Sequence, residues 1–141
     1  MVNITLAIIK PDAMAARHQG KILDRILQGG FNVRGSRIIR MSKQQAEGFY
    51  EVHRGKPFFE ELTAFMSSGP TMPLVLEKDN AVADFRDLIG VTNPADAAEG
   101  TIRKDFAASL GENAVHGSDS DENAEKEVAF FFARADILGV F

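Results

Sequence analysis

Four consecutive apolar residues, Leu6-Ala7-Ile8-Ile9, closed by Lys10 and stopped by Pro11, constrain this chain more than any other stretch. Alternate side chains of a strand point to opposite faces of its sheet, so such a run is apolar on both. Residues 3–9 therefore read as a central, buried strand. Lys10 then stands alone as a charge at the strand's carboxyl end, where open sheets place ligand contacts.

The rest of the chain alternates between helical and extended patterns. Asp12 can cap a helix that reaches Gln28, with a break near Gly20; Leu23, Ile26 and Leu27 mark its inner face and Gly29-Gly30 fits its end. Residues 31–41 read as a second strand with a bulge at Gly35. Ser42 and Gln45 have the spacing of a capping box for a helix running towards His53. Pro57 suits the first position of another helix, on which Phe58, Leu62 and Phe65 recur at helical spacing until Gly69-Pro70 ends it. Residues 72–77 form a third strand. A helix follows from Asp79 or Asn80 to Ile89, closed by Gly90. Residues 91–120 are rich in Gly and Asn, with one short helix at 102–110. Ser118 with Asp121 caps a last helix through Glu127, and residues 128–132 read as a fourth strand.

A chain of 141 residues suits one domain, spanning 1–141. Four strands with helices between them, and no two-residue hairpin, predict an α+β fold. The order is compatible with a ferredoxin-like sandwich: a four-stranded antiparallel sheet covered by helices.

Several function classes drop out. With no Cys, disulfides, Cys–zinc sites and thiol catalysis are excluded. The net charge of −4 argues against nucleic acid as the main partner, although a local group of arginines can still hold a small anion. Phe130-Phe131-Phe132 lacks the basic neighbours of an RNA platform and reads as core. The start of the chain shows no signal peptide and no apolar run is long enough to span a bilayer, so a cytoplasmic protein is expected, with no membrane partner. Neither G-x-x-x-x-G-K-[ST], G-x-G-x-x-G nor H-E-x-x-H occurs, which disfavours P-loop kinases, Rossmann enzymes and zincins.

The informative segment is Asn113-Ala114-Val115-His116-Gly117-Ser118-Asp119-Ser120. It sets a histidine just before a helix start, where Ser118 and the first N–H groups can form an anion site. A neutral imidazole attacks phosphorus without a separate base, and a helix start disfavours its charged form. Taken alone, the pattern favours a turn residue bonded to its neighbours.

Further segments change that balance. Thr5 to Asp12, Phe65-Met66-Ser67-Ser68-Gly69-Pro70, Thr92-Asn93-Pro94-Ala95-Asp96 and Gly100-Thr101-Ile102-Arg103-Lys104-Asp105-Phe106, together with 113–120, resemble in order the segments of nucleoside diphosphate kinases. The resemblance covers the chain from Asn3 to Phe132. It implies that His116 is a nucleophile that becomes phosphohistidine. It implies that Lys10 and Asn113 contact the ribose 3′-hydroxyl, with Lys10 also near the γ-phosphate. Arg86, Thr92 and Arg103 would hold phosphates, Phe58 would stack on the base and Tyr50 would line the site. Glu127 would bond the imidazole nitrogen that does not attack, with Ser118 supporting it. No protein metal site is implied; Mg²⁺ would arrive on the nucleotide phosphates, within reach of Asp119 through water. The partners would be nucleoside di- and triphosphates and further copies of the chain, in a homo-oligomer built on a dimer.

Several residues have a plainer reading. By pattern alone Arg86 is the exposed face of a helix that buries Val82, Phe85 and Ile89, and Phe58 divides evenly between core and stacking platform. Arg103, a cation in a helix's first turn, suggests an anion nearby. His18 and His53 match no signature and read as surface. The tail, ending Leu138-Gly139-Val140-Phe141, is unusually apolar for a segment that in such proteins contributes to subunit contacts.

Overall fold

The computed structural model describes residues 2–139; Met1 and the end of the apolar tail, Val140 and Phe141, lie outside them. The first strand, β1 (Val2–Ile9), is central as expected. Its even residues Leu6 and Ile8 enter one core with Val75, and its odd residues Ala7 and Ile9 enter another with Leu74, Leu76 and Val115. Both sheet faces are thus covered, which is why the run carries no polar alternation.

Pro11 sits at the first position of α1 (Pro11–Ala15), where its missing N–H costs nothing, and Lys10 rather than Asp12 is the residue at the cap. The break expected near Gly20 falls earlier: the chain turns at Arg17 with φ 62°, and α2 (Gln19–Gln28) runs through Gly20. Edge strand β2 (Asn32–Ser36) is shorter than the expected strand over residues 31–41. Its register shifts between Val33 and Gly35, at the expected bulge, and Ile39 touches the sheet again only through an isolated bridge to Thr71.

Helix α3 (Lys43–Phe49) opens with the Ser42–Gln45 capping box and passes into a 3₁₀ turn, Glu51–His53. Helix α4 (Phe59–Met66) starts two residues after Pro57. It buries Phe59, Thr63 and Met66, which leaves Phe58 47% exposed and Leu62 and Phe65 half-buried. Then come β3 (Met72–Asp79) and α5 (Ala81–Ile89), which buries Val82, Phe85 and Ile89 as its spacing predicted. A five-residue helix, α6 (Ile102–Phe106), precedes β4 (Val115–Gly117).

The last helix overturns one reading. Ser120, not Ser118, caps α7 (Asp121–Phe131), and residues 128–131 continue that helix instead of forming a strand. Ala124, Val128 and Phe131 share its buried face at i, i+4 and i+7. A short apolar run cannot be assigned by periodicity alone, and here the helical alternative wins. Phe131 and Phe132 are core, whereas Phe130 is 43% exposed. The fourth strand is β4, too short to show any alternation.

The sheet has the order β2-β3-β1-β4 with all neighbours antiparallel, the arrangement of a ferredoxin-like sandwich. The face bearing Ala7 and Ile9 is packed by α2, α5 and α6; the face bearing Leu6 and Ile8 by α3, α4 and α7. Pairing of Ile8 with His116 puts the histidine on the edge strand beside the end of β1.

Gly117 lets β4 press against α5. A Cβ there would lie 2.9 Å from Phe85 Cδ2 and 3.2 Å from Ile89 Cδ1, both fully enclosed side chains. Gly117→Ala should therefore cost roughly 1–3 kcal/mol through overpacking. A urea midpoint equal to that of the parent would show that β4 is not held this tightly.

Candidate active site

The ends of β1 and β4, the first turn of α6 and the middle of α7 converge on His116. Glu127, six residues into α7, reaches across to it, and its Oε1 lies 2.8 Å from His116 Nε2. Ser118 Oγ donates to the same carboxylate oxygen at 2.8 Å and accepts from Leu6 N at 3.1 Å, which ties the pair to β1. Ser118 is fully buried, so it supports Glu127 rather than capping a helix. The imidazole's partner is thus a carboxylate from mid-helix; at the start of that helix, Asn123 N and Ala124 N donate to Ser120.

This contact sets the tautomer. A carboxylate oxygen only accepts, so Nε2 carries the hydrogen and Nδ1 keeps its lone pair. The Phe49 ring meets the imidazole edge-on at 5.6 Å and limits its rotation. Tyr50, buried behind Phe49, has a hydroxyl with no hydrogen-bond partner; burial and then the charge of Glu127 push its pKa up, so it stays protonated.

A second group surrounds Lys10. Its ammonium donates to Asn113 Oδ1 at 2.7 Å, and Asn113 Nδ2 donates to the Thr92 carbonyl at 3.2 Å. Both side chains are nearly inaccessible. Burial, then the Arg103 charge, lowers the Lys10 pKa to about 8, with Asp12 opposing the shift. Arg103 donates to the carbonyls of Gly90 and Val115, each at 2.9 Å, so it also braces the end of α5 against β4. Burial and Arg86 lower its pKa to about 10. Arg86 is exposed on α5, within the electrostatic reach of both Arg103 and Asp119. A cleft of about 410 Å³ runs past Arg86, Gly90, Thr92, Thr101 and Arg103, a size suited to a small ligand.

Beyond Tyr50, Phe58 packs on the His53 ring at 5.2 Å, and Lys56 Nζ lies 3.1 Å from His53 Nδ1. His53 in turn stacks near Tyr50, and burial, then the Lys56 charge, lowers its pKa. His53, expected on the surface, thus joins the surroundings of the site, as do Phe49 and Asp12, which no local pattern singles out for it. Asp12 Oδ2 accepts from Ala114 N at 3.0 Å, across the chain. Only its place two residues after Lys10 hinted at this. The structure thus gathers Lys10, Arg103, Asn113, His116, Ser118, Glu127, Tyr50, Thr92 and Arg86, with exposed Phe58 linked to them through His53 and Tyr50. Among the described residues no three His, Asp or Glu side chains could cage a metal ion.

An imidazole held through one nitrogen, with Lys10, Arg103 and Arg86 crowded together on neighbouring elements, is chemistry for handling phosphoryl groups, and the sandwich beneath it is α+β with an antiparallel sheet. The chain belongs to the nucleoside diphosphate kinase family, whose model matches residues 3–137. It is 60% identical over 134 residues to a nucleoside diphosphate kinase of Syntrophotalea carbinolica, covering 95% of this chain and 98% of that protein. A Salinibacter ruber relative of the same name is 58% identical, with 95% and 94% covered. Among solved structures, the Aquifex aeolicus nucleoside diphosphate kinase matches with a TM-score of 0.96 at 44% identity, over 98% of this chain and 100% of that one. The Halobacterium salinarum enzyme in complex with CDP matches at 0.93 and 35% identity, over 98% and 92%.

The lowered pKa of Lys10 has a sign that can be tested. The unfolded chain holds this proton more tightly than the folded one, so between pH 8 and 10.5 the group adds stability as pH rises. An anion placed beside it does the opposite and restores the proton. Nucleotide binding at pH 8.5 should then take up a fraction of a proton per site, falling towards zero at pH 6.5 and absent in Lys10→Met. Titration calorimetry in buffers of different ionisation enthalpy reads this directly, and buffer-independent heats at pH 8.5 would contradict it.

Proposed function

We propose that this chain is a nucleoside diphosphate kinase that carries a γ-phosphoryl group on His116. The observation that carries this reading is the 2.8 Å contact of His116 Nε2 with Glu127, which leaves Nδ1 as the free nitrogen. In the first half-reaction the Nδ1 lone pair forms a bond to the γ-phosphorus as the bond from phosphorus to the β–γ bridging oxygen breaks. The diphosphate departs with that electron pair. The Nε2 hydrogen stays on the ring, held by Glu127, so no base is required. A second diphosphate then enters and takes the phosphoryl group by the reverse displacement.

The chain's own groups position and neutralise. Arg86, Thr92 and Arg103 hold phosphates along the cleft, and Lys10 and Asn113 hold the ribose 3′-hydroxyl, with Lys10 also near the γ-phosphate. Phe58, half-exposed at the rim, stacks on the base. Ser118 keeps Glu127 in place, and Tyr50 backs the Phe49 ring that faces His116. Mg²⁺ suits this donor set as an ion carried in by the nucleotide. Asp119 is the carboxylate near Arg86 and His116, and its pKa is lowered, first by Asn123 Nδ2 at 2.7 Å. Such an ion, bound chiefly by phosphate oxygens, would neutralise their charge.

The protein acts as one domain, in the cytoplasm, as a homo-oligomer built on a dimer. No helix among the described residues is long and apolar enough to cross a membrane. β2 is an edge strand, and Leu27 and Ile38 are 51% and 65% exposed; a second copy covers features of this kind.

Mixed with radiolabelled ATP and quenched in alkali, the protein should carry acid-labile label on His116. His116→Ala should lose the label and on the order of 10⁴-fold or more in turnover while still binding nucleotide. Initial-rate lines should be parallel; intersecting lines would exclude the covalent route.

Base recognition by one aromatic face tolerates every base. ATP, GTP, CTP and UTP should therefore differ as donors by less than about a hundredfold, given roughly 1–3 kcal/mol per stacked base. Strict preference for one donor would require hydrogen bonds to a base edge and would displace Phe58 from this role.

A further inference from the structure

The segment leading into β4 contains the sharpest backbone feature of the site. Ala114 is a fully buried, non-glycine residue with φ 72°. Val115 N donates to Asn113 O at 2.8 Å, so three residues close a γ-turn with Ala114 at its tip. A γ-turn with positive φ is a rare and strained conformation for an L-residue, and persists only when its surroundings hold it. Here the turn links two side chains of the site: Asn113 precedes the tip and His116 follows two residues after it.

Both polar groups of the Ala114 backbone are gripped by the segment after β1. Lys10 N donates to Ala114 O at 2.8 Å, and Ala114 N donates to Asp12 Oδ2 at 3.0 Å. The first bond extends the sheet pairing by one residue. The second is made by a side chain 102 positions away in sequence, and nothing in the sheet requires it. The other carboxylate oxygen, Asp12 Oδ1, is buried without a partner. A buried acceptor left unpaired is unfavourable, so this carboxylate is retained here for what Oδ2 does and for its charge beside Lys10.

We propose that Asp12 is a positioning residue for the reaction: its Oδ2 latches the Ala114 N–H and thereby fixes the strained turn that sets Asn113 against Lys10 and aims His116. The inference rests on the reading of His116 as the nucleophile. With the latch gone, the turn can relax towards negative φ. Asn113 and the imidazole then shift relative to the cleft, although no group that touches nucleotide has been removed.

Three proteins decide it: wild type, Asp12→Ala and Asp12→Asn, each followed by single-turnover phosphorylation of His116, nucleotide affinity and thermal unfolding. Asn keeps an oxygen that can accept from Ala114 N. Asp12→Ala should phosphorylate roughly a hundredfold more slowly, the scale of a 1 Å misplacement, with nucleotide affinity changed less than about tenfold. Asp12→Asn should recover at least about tenfold of that loss. A merely structural role would lower the melting temperature of both variants and leave the rate of the folded protein unchanged, which overturns the proposal. Equal losses in the two variants overturn it too, because charge and not the hydrogen bond would then matter. Hydrogen exchange at the Ala114 amide of the wild-type protein needs no variant: slow exchange is expected, and exchange at the rate of an exposed amide refutes the latch. Absence of label on wild-type His116 would instead refute the reading beneath.

Discussion

Burying the Lys10 ammonium is unfavourable, and the fold makes it more so by setting the Arg103 guanidinium nearby, with Arg86 beyond it. Single neighbours such as Asn113 supply a hydrogen bond but no charge, and Asp12 offsets only part of the cost. The cluster stands at the end of β1, a strand covered on both faces by core side chains. The rest of the site follows from it. The crowded cations leave unfilled electrostatic demand, which on the proposed reading an incoming polyphosphate meets.

The second requirement is direction. An imidazole has two nitrogens, and reaction at one of them needs the other to be held. Glu127 does this from a helix that itself rests on β1 through Ser118, so the orientation of His116 refers back to the same strand that carries Lys10. Phe49 closes the remaining rotation. Charge and direction thus share one mechanical reference, the end of β1.

Much of this was legible in the amino-acid sequence wherever a local rule governed. The four apolar residues of β1, the Ser42–Gln45 box, the bulge at Gly35 and the buried face of α5 follow from periodicity and backbone chemistry, which act over a few residues. β4 was not legible because three residues carry no period, and the apolar run at the end of α7 mimicked the strand that β4 provides. Ser118 was mistaken for a cap because Ser118 and Ser120 both precede acidic residues; only the long-range bond to Leu6 separates them. Of the candidate site, Lys10 stood out by its place at a strand end. Arg86 and Glu127 came only through the family resemblance, since spacing cannot say which surface charge faces a cleft. Asp12 and His53 escaped because their partners are distant in sequence or exist only after a helix turns.

The distribution of burial within the site also bears on how one cleft can serve two substrates. Of the groups assigned to the phosphates and the ribose, Lys10, Asn113 and Arg103 are enclosed and Arg86 is anchored on a helix, while Thr92 sits exposed in a loop whose carbonyl Asn113 holds. The group assigned to the base, Phe58, is half-exposed, and its ring meets His53 and Lys56. Rigid contacts therefore fall on the parts that every nucleoside phosphate shares, and the loose contact falls on the part that differs. A donor and an acceptor with different bases then meet the same geometry at His116. The phosphorus–nitrogen bond keeps a high transfer potential, so neither half-reaction is strongly downhill. A site that bound one base tightly would upset that balance, because the favoured diphosphate would leave slowly and block the other from entering.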